Sequence, residues 1–355
     1  GLRREIGHTR GGCPFERFVC MNSGSEAVAV GARLADINTK LMTDPGGRHA
    51  NRQTRILSLK DSFHGRTQRP AQFSDSTRKN YCKHMASFRD HDDLITVEPN
   101  DVEQLRQVFE WAESSNLFFE AFFFEPVMGE GNPGLAITPE FYAEARRLTK
   151  EHGSVMLVDS IQAGLRAQGV LSIVDYPGFE DQEAPDMETY SKALNAGQYP
   201  LSVLAMNSFA AGLYRKGVYG NTMTSNPRAL DVACAVLDSI TPELRENIRR
   251  RGAELLSRLE AVREEVGGRV TGVQGTGLLL SVELDGRRYK SYGAGSTEEY
   301  LRFKGLNVIH GGENSLRFTP NFPITGEEVE LIVELTRDAI LNGPVKASAS
   351  EAEAA

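Results

Sequence analysis

The chain has 355 residues, enough for one large or two medium domains with a substantial core. Its composition, 40% hydrophobic and 25% charged, is that of a soluble globular protein, and a net charge of -8 excludes a sequence-independent nucleic-acid binder. No stretch approaches the roughly 20 apolar residues of a membrane span, because the densest run, Leu117 to Met128, is broken by Glu120 and Glu125. Nothing at the N-terminus has the pattern of a signal peptide. Cys13, Cys20, Cys82 and Cys234 form neither a CxxC pair nor a cluster at zinc spacing, so they read as reduced thiols of a cytoplasmic protein without a metal.

Apolar runs alternate with helical patterns along the first two thirds. The predicted strands are Phe18 to Asn22, Arg55 to Leu59, Ala121 to Glu125, Val155 to Asp159, Met187 to Tyr190 and Leu201 to Met206. Between them, helices are predicted over Ser25 to Asn38, Val102 to Ser114, Pro139 to His152 and Asn226 to Ser239. This alternation predicts an α/β fold, a mainly parallel central sheet with helices on both faces and ligands at the C-terminal strand ends. After Pro242 the texture changes to a long charged helix, Glu243 to Glu265, then apolar runs Val270 to Leu284 and Val308 to Thr319, and a last helix Thr325 to Leu341. That pattern predicts a smaller C-terminal α/β domain. The expected division is 1–21 as the remnant of an N-terminal segment, 22–241 as the large domain, 242–343 as the small one and 344–355 as a disordered tail.

Chemistry gathers where predicted strands end. Asn22-Ser23-Gly24-Ser25-Glu26-Ala27 lies between a strand and a helix, where Gly24 and Ser25 can offer N–H groups and a hydroxyl to a phosphate, although these residues taken alone favour an ordinary Ser cap. Ser62-Phe63-His64-Gly65 can lay an aromatic ring on a planar heterocycle, or be a core Phe beside a turn. Glu125 ends a strongly apolar strand, so burial with a partner is expected for it, and Gly129-Glu130-Gly131 adds a second carboxylate. Asp159 ends another apolar strand, with the neutral donor Gln162 three residues on, and Lys192 stands in the segment after the next strand. An aspartate and a lysine so placed are the pair pyridoxal-phosphate chemistry needs, the lysine for a Schiff base and the carboxylate for the ring nitrogen. Tyr219 to Pro227 offers Thr222 before a helix start, and Arg317 sits in an apolar strand, suited either to a substrate carboxylate or to a structural ion pair.

These motifs, in this order from about Asn22 to about Ile340, resemble the class III (ornithine/4-aminobutyrate type, ω-aminotransferase) pyridoxal-phosphate-dependent aminotransferases of fold type I. The resemblance rests on Asn22 to Ala27, Phe63-His64-Gly65, Glu125-Pro126-Val127 with Gly129-Glu130-Gly131, Asp159 with Gln162, Pro185-Asp186 before Ser191-Lys192-Ala193-Leu194, Thr222 before Asn226-Pro227, and Gly275-Thr276-Gly277-Leu278. It implies a transaminase moving an amino group between an amine or amino acid and a 2-oxo acid, aldehyde or ketone. Lys192 would be the Schiff-base lysine and proton shuttle and Asp159 the partner of the pyridine nitrogen. Gly24 and Ser25 would hold the phosphate, and Phe63, with His64 and Glu125 around the cofactor, would stack on the ring. Gln162 would face its phenolic oxygen. Thr222 would reach the phosphate of the neighbouring subunit in a homodimer. Arg317 would grip a substrate carboxylate, and Glu130 would neutralise that arginine when a side chain without one enters.

The sequence departs from the family pattern in places. Ser160 stands where a Glu commonly follows the aspartate, Gly164-Leu165-Arg166-Ala167-Gln168-Gly169 replaces the usual Gly-aromatic-Gly-Arg-Thr-Gly, and Ser225 replaces a glycine. Only Gly1 to Met21 precede Asn22, whereas family members carry a longer segment there, so part of the substrate pocket is expected to lie outside this sequence. A decarboxylase, racemase or aminomutase on the same fold is the competing expectation, and a non-catalytic homologue a further one.

Overall fold

Leu117–Phe124 becomes a strand with every residue buried, and its period-two alternation serves two helical layers. Ala121 and Phe123 join the apolar cluster under the helix Gly24–Thr43, whereas Phe122 and Phe124 meet Phe141 and Tyr142 of the helix Pro139–His152. The structure, a computed structural model, describes residues 1–89 and 93–346. Beyond 346 the expected tail lies outside the described residues.

The chain divides into two compact units. The first holds Gly1–Pro126, Ile137–Leu165 and Val170–Ile240; the second holds Val127–Ala136, Arg166–Gly169 and the chain from Thr241 onward. Seven strands form the sheet of the first unit: β1 (Arg17–Met21), β2 (Gln53–Leu59), β3 (Leu94–Val97), β4 (Leu117–Phe124), β5 (Val155–Asp159), β6 (Met187–Tyr190) and β7 (Ser202–Met206). Their spatial order is β1-β7-β6-β5-β4-β2-β3. Pairing is parallel from β3 through β6, and β7 runs against both β6 and β1. The first six strands therefore point the same way, and their C-terminal ends share one edge.

The second unit has its own antiparallel sheet, β8 (Val270–Thr276), β9 (Leu279–Leu284), β10 (Ile309–Gly311) and β11 (Ser315–Phe318), in the order β10-β11-β9-β8. Leu255 and Leu259 of the helix Pro242–Val266 and Val329 of Gly326–Asn342 pack with Leu280, Val282 and Leu316 into a separate core. The apolar run Val270 to Leu284 is thus two strands joined at Gly277-Leu278, not one. Among the described residues no helix is long and apolar enough to cross a membrane.

Candidate active site

A cavity of about 270 Å³ opens at the shared C-terminal edge of the first unit's parallel strands. Five strand ends supply its wall. Ser23, Gly24 and Ser25 follow β1, Phe63, His64 and Gly65 follow β2, Glu125 follows β4, Asp159 ends β5, and Ser191 and Lys192 follow β6. Ile161 and Gln162, from the turn after β5, complete it. Residues far apart in the chain meet because parallel strands bring their loops to one edge.

One side of the cavity is formed by Ser23 to Ser25, at the start of the helix Gly24–Thr43. Ser23 caps the helix Gly24–Thr43, accepting from the Glu26 N–H, while Glu26 accepts from the Ser23 N–H, a reciprocal capping box. The Gly24 and Ser25 N–H groups have no carbonyl of a preceding helical turn to bond, and they stand at the positive end of the helix dipole. Gly65, at φ +113°, lets the loop after β2 close on this turn, since a Cβ there would stand 2.3 Å from the Ser25 hydroxyl.

Asp159 is buried and surrounded by donors. His64 Nδ1 lies 2.9 Å from one carboxylate oxygen, and the Thr189 hydroxyl (3.0 Å) and Ile161 N–H (3.2 Å) serve the other. These three contacts fix the orientation of the carboxylate. His64 Nε2 is buried without a hydrogen-bond partner among the described residues. Glu125, also buried, accepts the Phe63 N–H at 3.0 Å and so steadies the aromatic residue. Lys192 reaches the cavity from a backbone with φ +37°, a left-handed conformation that costs a non-glycine residue about 1–3 kcal/mol and recurs at functional sites.

Three expected site residues are not among the cavity's lining, and two of them, Glu130 and Arg317, belong to the second unit. Thr222 is exposed and lines a different opening, with Glu26, Arg33 and Tyr219. Arg317, on β11 of the second unit, is buried and donates to the carbonyl of Gly129, beside Glu130, whose own carbonyl accepts the Gly312 N–H at 2.7 Å. Arg166 is held inside the second unit, donating to the Pro320 carbonyl at 2.6 Å with its guanidinium against the Phe322 ring, and burial lowers its pKa to about 10. Arg66, for which the sequence suggested no role, also lines the cavity, its guanidinium 4.9 Å from the Phe63 ring. Its place next to Phe63-His64-Gly65 was the available signal.

A family model for class-III aminotransferases matches residues 2–340. The chain belongs to the class-III aminotransferases. The ornithine aminotransferase of Emericella nidulans is 30% identical over 345 residues, 95% of this chain and 72% of that protein. Among solved structures, the ornithine aminotransferase of Toxoplasma gondii matches with a TM-score of 0.76 at 23% identity, over 94% of this chain and 74% of that one. The N-acetylornithine aminotransferase of Stenotrophomonas maltophilia matches with a TM-score of 0.69 at 24% identity, over 96% and 77% of the two chains. These matches carry the fold type I architecture, and membership makes this chain a pyridoxal-phosphate-dependent transaminase acting on amino and oxo acids.

The residues of the aminotransferase cavity fit that cofactor. A helix N-terminus with the hydroxyl of Ser25 suits a phosphate, and the close approach at Gly65 leaves room beside it. Phe63 offers a ring face, Gln162 a neutral amide donor, Lys192 a primary amine and Asp159 an acceptor already ringed by donors.

Proposed function

We propose that this aminotransferase takes the terminal amino group of ornithine, or of a closely similar basic amino acid, and passes it to a 2-oxo acid. The names of the relatives support ornithine as donor. The observation that carries the assignment of roles is the convergence of Lys192 and Asp159, from the ends of neighbouring strands, on one cavity. Bound there, pyridoxal phosphate would supply a protonated ring able to draw electrons from the substrate carbon that bears the transferred amino group. Asp159 keeps the proton on the ring nitrogen, and His64 and Thr189 hold its carboxylate in line for that task. Lys192 would hold the cofactor through Nζ and, when free, would carry on the same atom the proton of the carbon that bears the transferred amino group. Gly24 and Ser25 bind the phosphate, Phe63 stacks on the ring with its backbone fixed by Glu125, and Gln162 donates to the phenolic oxygen.

Thr222, which lines a separate opening in its own chain, serves the phosphate of a second copy, so the working unit is a homodimer. Arg317 takes a substrate carboxylate and Glu130 neutralises it when none is present. The four cysteines stand as free thiols, in keeping with a cytoplasmic protein. The test is glutamate formation from 2-oxoglutarate with ornithine, N-acetylornithine or simple amines as donor. Ornithine is expected to be preferred, Lys192→Ala to abolish transfer, and Arg317→Ala to raise KM more for carboxylated donors than for amines. Transfer by Lys192→Ala, or equal effects of Arg317→Ala on both donor classes, overturns the corresponding role.

A further inference from the structure

One carboxylate in the first unit holds two separate segments. Glu26 Oε2 accepts the N–H groups of Asn22 (2.7 Å) and Ser23 (3.1 Å), which fixes the turn that leads into the phosphate-binding helix. Its other oxygen, Oε1, accepts from the Asn221 side-chain amide at 2.8 Å. Asn221 in turn organises the loop around it. Its Oδ1 accepts the Met223 N–H at 3.0 Å, and its carbonyl accepts both the hydroxyl (2.9 Å) and the N–H (3.3 Å) of Thr224. Thr222 therefore sits at the apex of a short turn closed by Asn221 and anchored, through that side chain, to the first turn of the helix Gly24–Thr43.

The orientation of the Asn221 amide is set by these partners. The N–H of Met223 requires the oxygen on its side, which leaves the NH₂ for the carboxylate. A hydrogen bond to an ionised group is stronger than a neutral one and tolerates less misalignment. Glu26 also carries the wrong charge to attract a phosphate, so a purely electrostatic part in cofactor binding would be unfavourable.

Resting on the reading that Thr222 serves the phosphate of a second copy, we infer that Glu26 and Asn221 are positioning residues that set Thr222 for the partner's cofactor. The same Glu26 steadies the phosphate turn of its own chain. Each phosphate site is thereby tied to the residue its chain lends to the other.

The test compares binding of pyridoxal phosphate with that of pyridoxal, which lacks the phosphate, by absorbance titration of the full-length protein and its variants. Thr222→Ala is expected to raise the Kd for pyridoxal phosphate about ten- to a hundredfold, the loss of one hydrogen bond to a charged group. Asn221→Ala and Glu26→Gln are expected to raise it about three- to tenfold, because the hydroxyl remains but is no longer held. Pyridoxal affinity stays within about twofold of wild type in all three. Because Asn221 acts through Thr222, the double variant Asn221→Ala/Thr222→Ala binds no more weakly than Thr222→Ala alone.

Equal weakening toward both ligands by Asn221→Ala marks a merely structural role and overturns the inference, as does an additive double variant. Glu26→Gln separates the two explanations by sign. Tighter phosphate binding would make Glu26 an electrostatic element rather than a tether. If Thr222→Ala weakens pyridoxal phosphate and Asn221→Ala does not, the tether alone falls. If Thr222→Ala has no effect, the reading of Thr222 falls first, and the inference with it.

Discussion

Ser225 occupies a position where the family pattern has glycine, and its backbone shows the consequence. At φ +58° it adopts a left-handed conformation in which its Cβ crowds the following carbonyl. Ser225→Gly should stabilise the fold by about 1 kcal/mol, measured by urea denaturation. A neutral or destabilising result would show that contacts of the serine outweigh the strain. Ser160 is a second departure, and its hydroxyl donates to a carboxylate of another strand. The hydroxyls of Ser160 and Ser172 and the Ile173 N–H all donate to Glu188, a fully buried carboxyl on β6. Burial pushes the Glu188 pKa up from 4.5 to about 7 despite those donors. Between these pH values the folded protein keeps a proton that the unfolded chain has released, so this group lowers stability as pH rises through the window and its penalty is complete above it. Glu188→Gln keeps an acceptor for Ser160 and Ile173 without the charge. It should therefore match wild type in melting temperature near pH 4.5 and exceed it at pH 8, by up to about 3 kcal/mol in stability. A constant difference at both pH values would remove Glu188 as the titrating group.

At the scale of elements, Asp186 at the start of β6 ties four pieces of the first unit together. It forms a two-pronged pair with Arg146 of the helix Pro139–His152 (3.0 Å each), accepts the Met156 N–H of β5 (2.9 Å) and accepts from Asn207 beyond β7 (3.1 Å). Asp186→Ala would leave Arg146 buried without its main partner, and a cost of about 3–5 kcal/mol is expected by chemical denaturation. A cost below about 1 kcal/mol would mean that Arg146 is satisfied by Glu183 alone. Several elements were legible in the sequence: the strands β5 and β6, buried at every position, and the periodic helices Val102–Ser114 and Pro139–His152 have the expected bounds. β3 was not: Leu94–Val97 is a short apolar stretch at the edge of the sheet with only Val97 buried, and four residues set no period that separates a strand from a loop. The helix from Gly24 runs on to Thr43 past the expected Asn38, because its last turns are polar and Asn38 bonds the Gly153 carbonyl rather than ending the helix. The site itself was largely legible, since strand-end residues of a parallel sheet must share an edge. What sequence does not give is the partner of each group: that His64 and Thr189 hold Asp159, or that Glu26 holds Asn221, follows only from the way separate loops fold together.

At the scale of the whole molecule, the proposed division of labour between Lys192 and Thr222 makes a prediction no single-site variant can. Within one chain Lys192 lines the cofactor cavity and Thr222 a different opening. If each complete site takes Lys192 from one copy and Thr222 from the other, a mixed dimer of a Lys192→Ala chain and a Thr222→Ala chain must segregate its defects. One site receives Ala at both positions and is dead. The other receives Lys192 from the Thr222→Ala chain and Thr222 from the Lys192→Ala chain, and is intact. A heterodimer isolated with two affinity tags should then bind pyridoxal phosphate at one site per dimer with wild-type affinity, although neither parent homodimer does. Transaminase activity should return to about half that of wild type, because half the sites are whole. If Thr222 served its own chain, mixing would only average the parents, and the phosphate affinity of the active site would remain that of Thr222→Ala. A heterodimer without any high-affinity site would therefore place both residues in one chain's site and end the shared-site reading.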